Sequence, residues 1–213
     1  MKLSINLIEN NSEIQKRILN ALSPQIQTYL TKIEKQISSE IPKIVINGIK
    51  NQPEYSAIVS GRLQYEFGIQ DPQNKLNDIL NTIESSLKVT IRQPQTGGSR
   101  INGTIKLQMV QSNFADLLSL GSASFVSEKG SQINWLDWLL TQGDSTIIAG
   151  YSFIAGSFPT SRTGGGIMME FESSFWRVPP EYAGTTRDNW ITRGIESVTS
   201  QIQKELENIV SKT

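Results

Sequence analysis

"LKVTIRQPQTGGSRINGTIKLQMV", Leu87–Val110, is where the period of the chain changes. Its arms, LKVTIRQ (87–93) and INGTIKLQMV (101–110), alternate apolar and polar residues, the pattern that sends successive side chains to opposite faces of a strand. PQTGGSR (94–100) joins them through a Gly-Gly pair, so a β-hairpin is predicted over 87–111. Everything upstream has the period of a helix. Helix followed by antiparallel hairpins predicts an α+β fold.

Working outward, Ile14, Ile18, Leu22, Ile26, Leu30 (or Tyr29), Ile33, Ile37 and Ile41 recur at helical spacing and predict a helical N-terminal region over 1–42. Ser12 with Gln15 is its expected capping box. Pro24 is expected to kink or split it, and Pro42 to close it. A second helix is predicted from Pro53 to Phe67, closed by Gly68, and a third over DPQNKLNDILNTIESSL (71–87). Beyond the hairpin, 112–120 has helical spacing, and SQINWLDWLLTQGD (131–144) predicts a short helix carrying Trp135, Trp138 and Leu139. STIIAGYSFIAG (145–156) and IMMEFES (167–173) then form a second predicted hairpin over 145–173. A C-terminal helix over 187–210, capped by Asp188 or Thr186, presents Trp190, Ile191, Ile195, Val198, Ile202, Leu206 and Ile209 on one face. No linker, repeat or low-complexity block interrupts the chain. The expectation is a single α+β domain over 1–213, an antiparallel sheet of β-hairpins packed with long N-terminal and C-terminal amphipathic helices.

Composition narrows the chemistry. Acidic and basic residues balance at 20 each, and the chain has neither Cys nor His. Balance argues against a dedicated nucleic-acid binder. Absence of Cys removes thiolate nucleophiles and the usual structural zinc sites, and absence of His removes the commonest general base. No cofactor or metal site is expected, and no enzyme. No apolar run approaches the roughly 20 residues of a membrane span, and MKLSINLIENNSE has no secretory pattern. The expected place is a cytoplasm, or a particle assembled there.

The richest segment is SRTGGGIMMEFESSFWRVPPEYAG, Ser161–Gly184. Its glycines resemble a phosphate cradle, but they precede a strand and no Lys follows, so a hairpin tip with Arg162 solvated is the simpler reading. Glu170 and Glu172 lie two apart on a strand and, with Asp137, are the candidates for carboxylate chemistry; the wet face of a half-buried strand explains the pair as well. Pro179 and Pro180 predict an extended strut bearing Trp176, Arg177 and Tyr182, suited to holding a neighbour at low entropic cost. Trp176 suits an interface anchor or an ordinary core.

The order of long amphipathic helix, SGRL (60–63) beside EFG (66–68), hairpins and capped terminal helix resembles the tail-completion, or head-to-tail joining, proteins of tailed bacteriophages. The stretch Ser161–Glu196 is similar to the C-terminal half of neck or connector proteins from phages with long contractile tails. Two features depart from the pattern: the family's Gly-Arg-Leu segment precedes a strand, whereas SGRL here sits within helical spacing, and Asn113–Gly143 is additional. The resemblance implies a structural subunit of the virion neck, made in the host cytoplasm. It would assemble with itself into a ring, dock on portal, head-closure or tail-tube proteins, and line the channel through which DNA slides without sequence-specific binding or any membrane. On that reading Gly164, Gly165 and Gly166 form a mobile tip that orders on a neighbour. Arg162, Trp176, Arg177, Pro179, Pro180 and Tyr182 complete the subunit contact, and Trp176→Ala breaks assembly without unfolding the subunit. The rivals are a tail terminator, a host-binding module with an exposed aromatic patch, and a carboxylate-dependent hydrolase needing two carboxyls roughly 5–10 Å apart.

Overall fold

Forty residues, Asn11–Lys50, form one helix, α1. It begins at Asn10, whose side-chain oxygen accepts from the Glu13 amide at 2.9 Å while the Glu13 carboxylate accepts from the Asn10 amide at 3.2 Å. That is a capping box, two residues upstream of the expected Ser12 and Gln15. The helix passes both Pro24 and Pro42, although an interior proline costs about 3 kcal/mol. Its apolar stripe explains the continuation: Leu30, Ile33, Ile37, Ile41, Val45 and Ile49 are all buried, so stopping at Pro42 would expose the last of them.

The computed structural model describes residues 10–97, 100–109, 114–127 and 130–212. After α1 come α2 (Pro53–Ser60), α3 (Arg62–Phe67), α4 (Pro72–Ser86), β1 (Leu87–Gly97) and β2 (Arg100–Met109). Next are α5 (Ala115–Leu118), a 3₁₀ turn (Gly121–Ala123), β3 (Phe125–Val126), β4 (Gln132–Ile133) and α6 (Trp135–Thr141). The chain continues through β5 (Ile148–Ala155), β6 (Gly166–Trp176), α7 (Trp190–Ser197) and α8 (Thr199–Lys212). Met1–Glu9 of the expected N-terminal region, Gly98 and Ser99 of the first hairpin tip, and residues 110–113 lie outside the described residues. The fold is mixed helix and antiparallel strand. Its strands pair two by two, β1 with β2, β3 with β4 and β5 with β6, so each hairpin is a separate two-stranded sheet.

Two expected helices are each broken in the middle. The segment expected as one helix over 53–67 divides at Gly61, whose amide donates to Ala57 and whose φ of −120° and ψ of −158° leave the helical region. The C-terminal helix breaks at Val198. Its cap is Asn189 rather than Asp188 or Thr186: the buried Asn189 side chain accepts from the amides of Ile191 and Thr192, both at 3.1 Å. Gly68, by contrast, closes α3 as expected, in the left-handed region at φ +67°.

The chain divides into two compact units. The first comprises Met1–Ile41, Leu87–Met109 and Lys204–Thr213. Within it the Tyr29 hydroxyl donates to the Val210 carbonyl at 2.5 Å, while Ile18 and Leu22, further up the same stripe of α1, are 54% and 41% exposed. The β1–β2 ladder shifts register between Arg92 and Gln95; Pro94 lies there and has no amide to donate.

The second unit comprises Pro42–Ser86 and Val110–Gln203. Trp135, Trp190, Ile49, Ile58, Leu63, Ile69, Leu76, Ile79 and Leu136 are its largest fully buried side chains within those bounds. The end of α1 meets α7 through two glycines. A Cβ on Gly194 would stand 2.7 Å from the Ile49 Cα, and one on Gly48 would overlap the Gly194 carbonyl. Beside this crossing the Glu54 carboxylate, almost fully buried, pairs with Arg193, which also holds Asp188 at 2.6 Å.

Candidate functional site

In the second unit α3, α6 and β6 bring three aromatic rings together. Phe67, Trp138 and Trp176 pack edge to face, with centroids 5.6–6.2 Å apart, a favoured geometry for π-systems. Trp176 is 5% exposed, and its indole N–H donates to Glu66 Oε2 at 3.3 Å. Arg62 Nε donates to Glu66 Oε1 at 2.6 Å, and a second Arg62 nitrogen donates to Glu181 at 2.8 Å. Burial raises the Glu66 carboxyl above its ordinary value, with Arg62 pulling in the opposite direction. The hydrogen bond to Glu66 in turn raises the Arg62 pKa.

Above this cluster lies a cavity of about 550 Å³, lined by Phe67, Trp138, Trp176, Tyr65, Met168 and Arg162 among others. The loop joining β5 to β6 forms part of its wall. Gly156 N–H donates to the Gly165 carbonyl at 3.1 Å, Phe158 N–H to the Gly164 carbonyl at 3.0 Å, and Gly164 N–H to Ser161 Oγ at 3.0 Å. Gly164 has φ +75°, and a Cβ on Gly165 would overlap the Tyr65 ring. The tip expected to stand free for a neighbour is therefore closed by its own hydrogen bonds and laid against α3. Gly166 is buried at the start of β6, with Phe153 against it. Arg162 is half-buried, its guanidinium carbon 4.6 Å from the centre of the Phe125 ring, and so is not simply solvated.

The double proline does not form an extended strut. The Pro179 carbonyl accepts from the Tyr182 and Ala183 amides at 2.8 and 3.0 Å, which makes Pro180 the second residue of a turn, where its fixed φ fits. Val178 and Pro179 are buried, Tyr182 is half-buried, and Arg177 and Pro180 are exposed. Trp176 lies inside its own unit. Replacing it with Ala would open a core cavity and lose about 3–5 kcal/mol, so that substitution does not isolate an interface.

The sequence-predicted residues thus fall into two groups. Arg162, Gly166 and Trp176 line the cavity, and Gly164 and Gly165 belong to the loop whose residues 160–163 line it. Arg177, Pro179 and Pro180 line a separate shallow cleft with Phe175 and Arg62. On β6, Met169, Phe171 and Phe175 are 41%, 48% and 67% exposed. The structure adds Arg62, Glu66, Glu181, Tyr65 and Phe125, which sequence reasoning did not single out as site residues. Arg62 and Glu66 carried a local signal, opposite charges four apart on a helix; Glu181 carried none.

The carboxylates expected for hydrolysis do not converge. Glu170 and Glu172 are exposed on β6, and Asp137 accepts from Thr141 at 2.6 Å and Gln142 at 3.2 Å. Glu66 alone among the described lining residues of the cavity is an acid. Among the described residues no cluster of three or more acidic, His or Cys side chains is arranged to hold a metal ion, and no helix is long and apolar enough to cross a membrane. No family model, curated protein or solved structure matches this chain.

Proposed function

We propose that the chain is a non-enzymatic structural subunit of the neck of a tailed bacteriophage, assembling with itself into a ring that joins portal and head to tail and lines the DNA channel. The observation that carries this reading is the exposure of Phe175 beside Arg177 and Pro180, because solvent-facing aromatics next to an arginine are the usual anchors of protein interfaces. A ring needs two different, complementary surfaces on each subunit. The exposed Ile18 and Leu22 of α1 supply a second apolar surface of the right kind. Zero net charge suits a wall past which DNA slides without sticking.

The test is the mass of the purified protein by light scattering, with negative-stain images of the same fraction, alone and after mixing with portal and tail-tube proteins. The expected result is a discrete ring, alone or on one of those partners. Phe175→Ser and Leu22→Ser, both at exposed positions, should each abolish it while leaving a folded monomer. A wild-type chain that stays monomeric and binds neither partner overturns the reading. Binding to portal rather than to tube ends distinguishes a connector from a terminator.

A further inference from the structure

We propose that the cavity beneath the β5–β6 loop binds a small apolar ligand through a carboxylate, with Arg162 as its counter-ion. At about 550 Å³ it falls within the range of roughly 300–1,000 Å³ typical of small-molecule sites. Its floor, Phe67, Trp138, Trp176 and Met168, is apolar and aromatic.

The described polar lining comprises Arg162, Glu66, Trp138, Tyr65 and the hydroxyls of Ser127, Thr160, Ser161 and Thr163. Arg162 has no carboxylate partner among the described residues, and its guanidinium carbon lies 4.6 Å from the centre of the Phe125 ring. A guanidinium carries five N–H donors and suits bidentate contact with a carboxylate. The Trp138 indole N–H, which can only donate, and the Tyr65 hydroxyl also have no hydrogen-bond partner among the described residues. Glu66, the one acid among the described lining residues, has both oxygens engaged, by Arg62 and Trp176. Among the described residues the cavity therefore offers apolar surface, hydroxyls and unpaired donors but no free carboxylate. Such donors call for water or for an acceptor-rich ligand. Arg162, the one cation among the described lining residues, above an aromatic floor suits a monoanion with an apolar body better than a multiply charged phosphate.

The same chemistry occurs in a free aryl or alkyl carboxylate and in a polypeptide that presents an acidic residue beside an apolar one. The inference goes beyond the ring reading and does not depend on it.

The experiment titrates the full chain with 4-phenylbutyrate, with 4-phenylbutanamide as the uncharged control, and follows the four tryptophan indole N–H resonances by heteronuclear NMR. One resonance, identified by its loss in Trp138→Phe, should shift saturably with the acid. The amide should bind about tenfold more weakly, the scale of a charge-assisted hydrogen bond. Arg162→Gln should weaken the acid by a similar factor and leave the amide unchanged, its spectrum reporting that the protein stays folded. No saturable shift, equal binding of acid and amide, or an Arg162→Gln protein that binds the acid like wild type overturns the proposal. A final arm uses the blocked dipeptide acetyl-Phe-Glu-amide. Tighter binding than phenylbutyrate assigns the carboxylate to a polypeptide, and weaker binding assigns it to a free small molecule.

Discussion

Glu66 joins the aromatic cluster to the surface, since its carboxylate touches both a buried indole and a half-exposed guanidinium. Its pKa is raised in the folded protein, burial being the largest cause. The folded state therefore holds the Glu66 proton more tightly than the unfolded chain. Stability from this group is complete below the ordinary value of 4.5 and declines as pH rises through the higher folded value. Glu66→Gln removes the titration. Urea midpoints measured from pH 4 to pH 7 should show wild type losing stability relative to Glu66→Gln as pH rises above about 4.5. Wild type gaining stability relative to Glu66→Gln as pH rises would instead mean that Arg62 outweighs burial. Half of this arrangement was legible: Arg62 and Glu66 stand one helical turn apart, whereas Glu181 arrives from 119 residues away, through a turn that sequence reading took for a strut.

At the scale of elements, apolar periodicity located most of the helices and both long hairpins, because one buried face must recur with the period of its backbone. Boundaries were lost where a local preference met tertiary burial. Pro42 is buried inside α1, and the stripe through Val45 and Ile49 overrides its helix-breaking tendency. Gly61 acts in the opposite direction, since a Cβ there would stand 2.9 Å from the Ala57 Cα, and the absence of one lets two short helices meet. Pro24 is different again, being exposed within α1, where no packing offsets its missing amide. Pro24→Ala restores a donor to the Asn20 carbonyl and should stabilise the protein by about 1–3 kcal/mol. Thermal and urea unfolding measure it; an unchanged or lower midpoint would show that the proline sets the path of the helix.

For the whole molecule, three of the four borders between the two units were hidden because each falls within an element or between abutting ones. Ile41 and Pro42 are neighbours inside α1, Ser86 and Leu87 are the junction of α4 and β1, and Gln203 and Lys204 are neighbours inside α8. No glycine- or proline-rich linker marks any of them, so a scan for linkers had nothing to find. One distribution of residues across these borders has an optical consequence. All four tryptophans, Trp135, Trp138, Trp176 and Trp190, belong to the second unit, and the first holds Tyr29 as its only aromatic residue. Excited at the red edge of its absorption, where tyrosine is silent, the protein emits from the second unit alone. With the Trp138 and Trp176 rings 5.6 Å apart, that emission should red-shift as their packing is lost, while far-ultraviolet circular dichroism follows the helices of both units. Coincident emission and dichroism curves would mean one cooperative transition, and separated curves two.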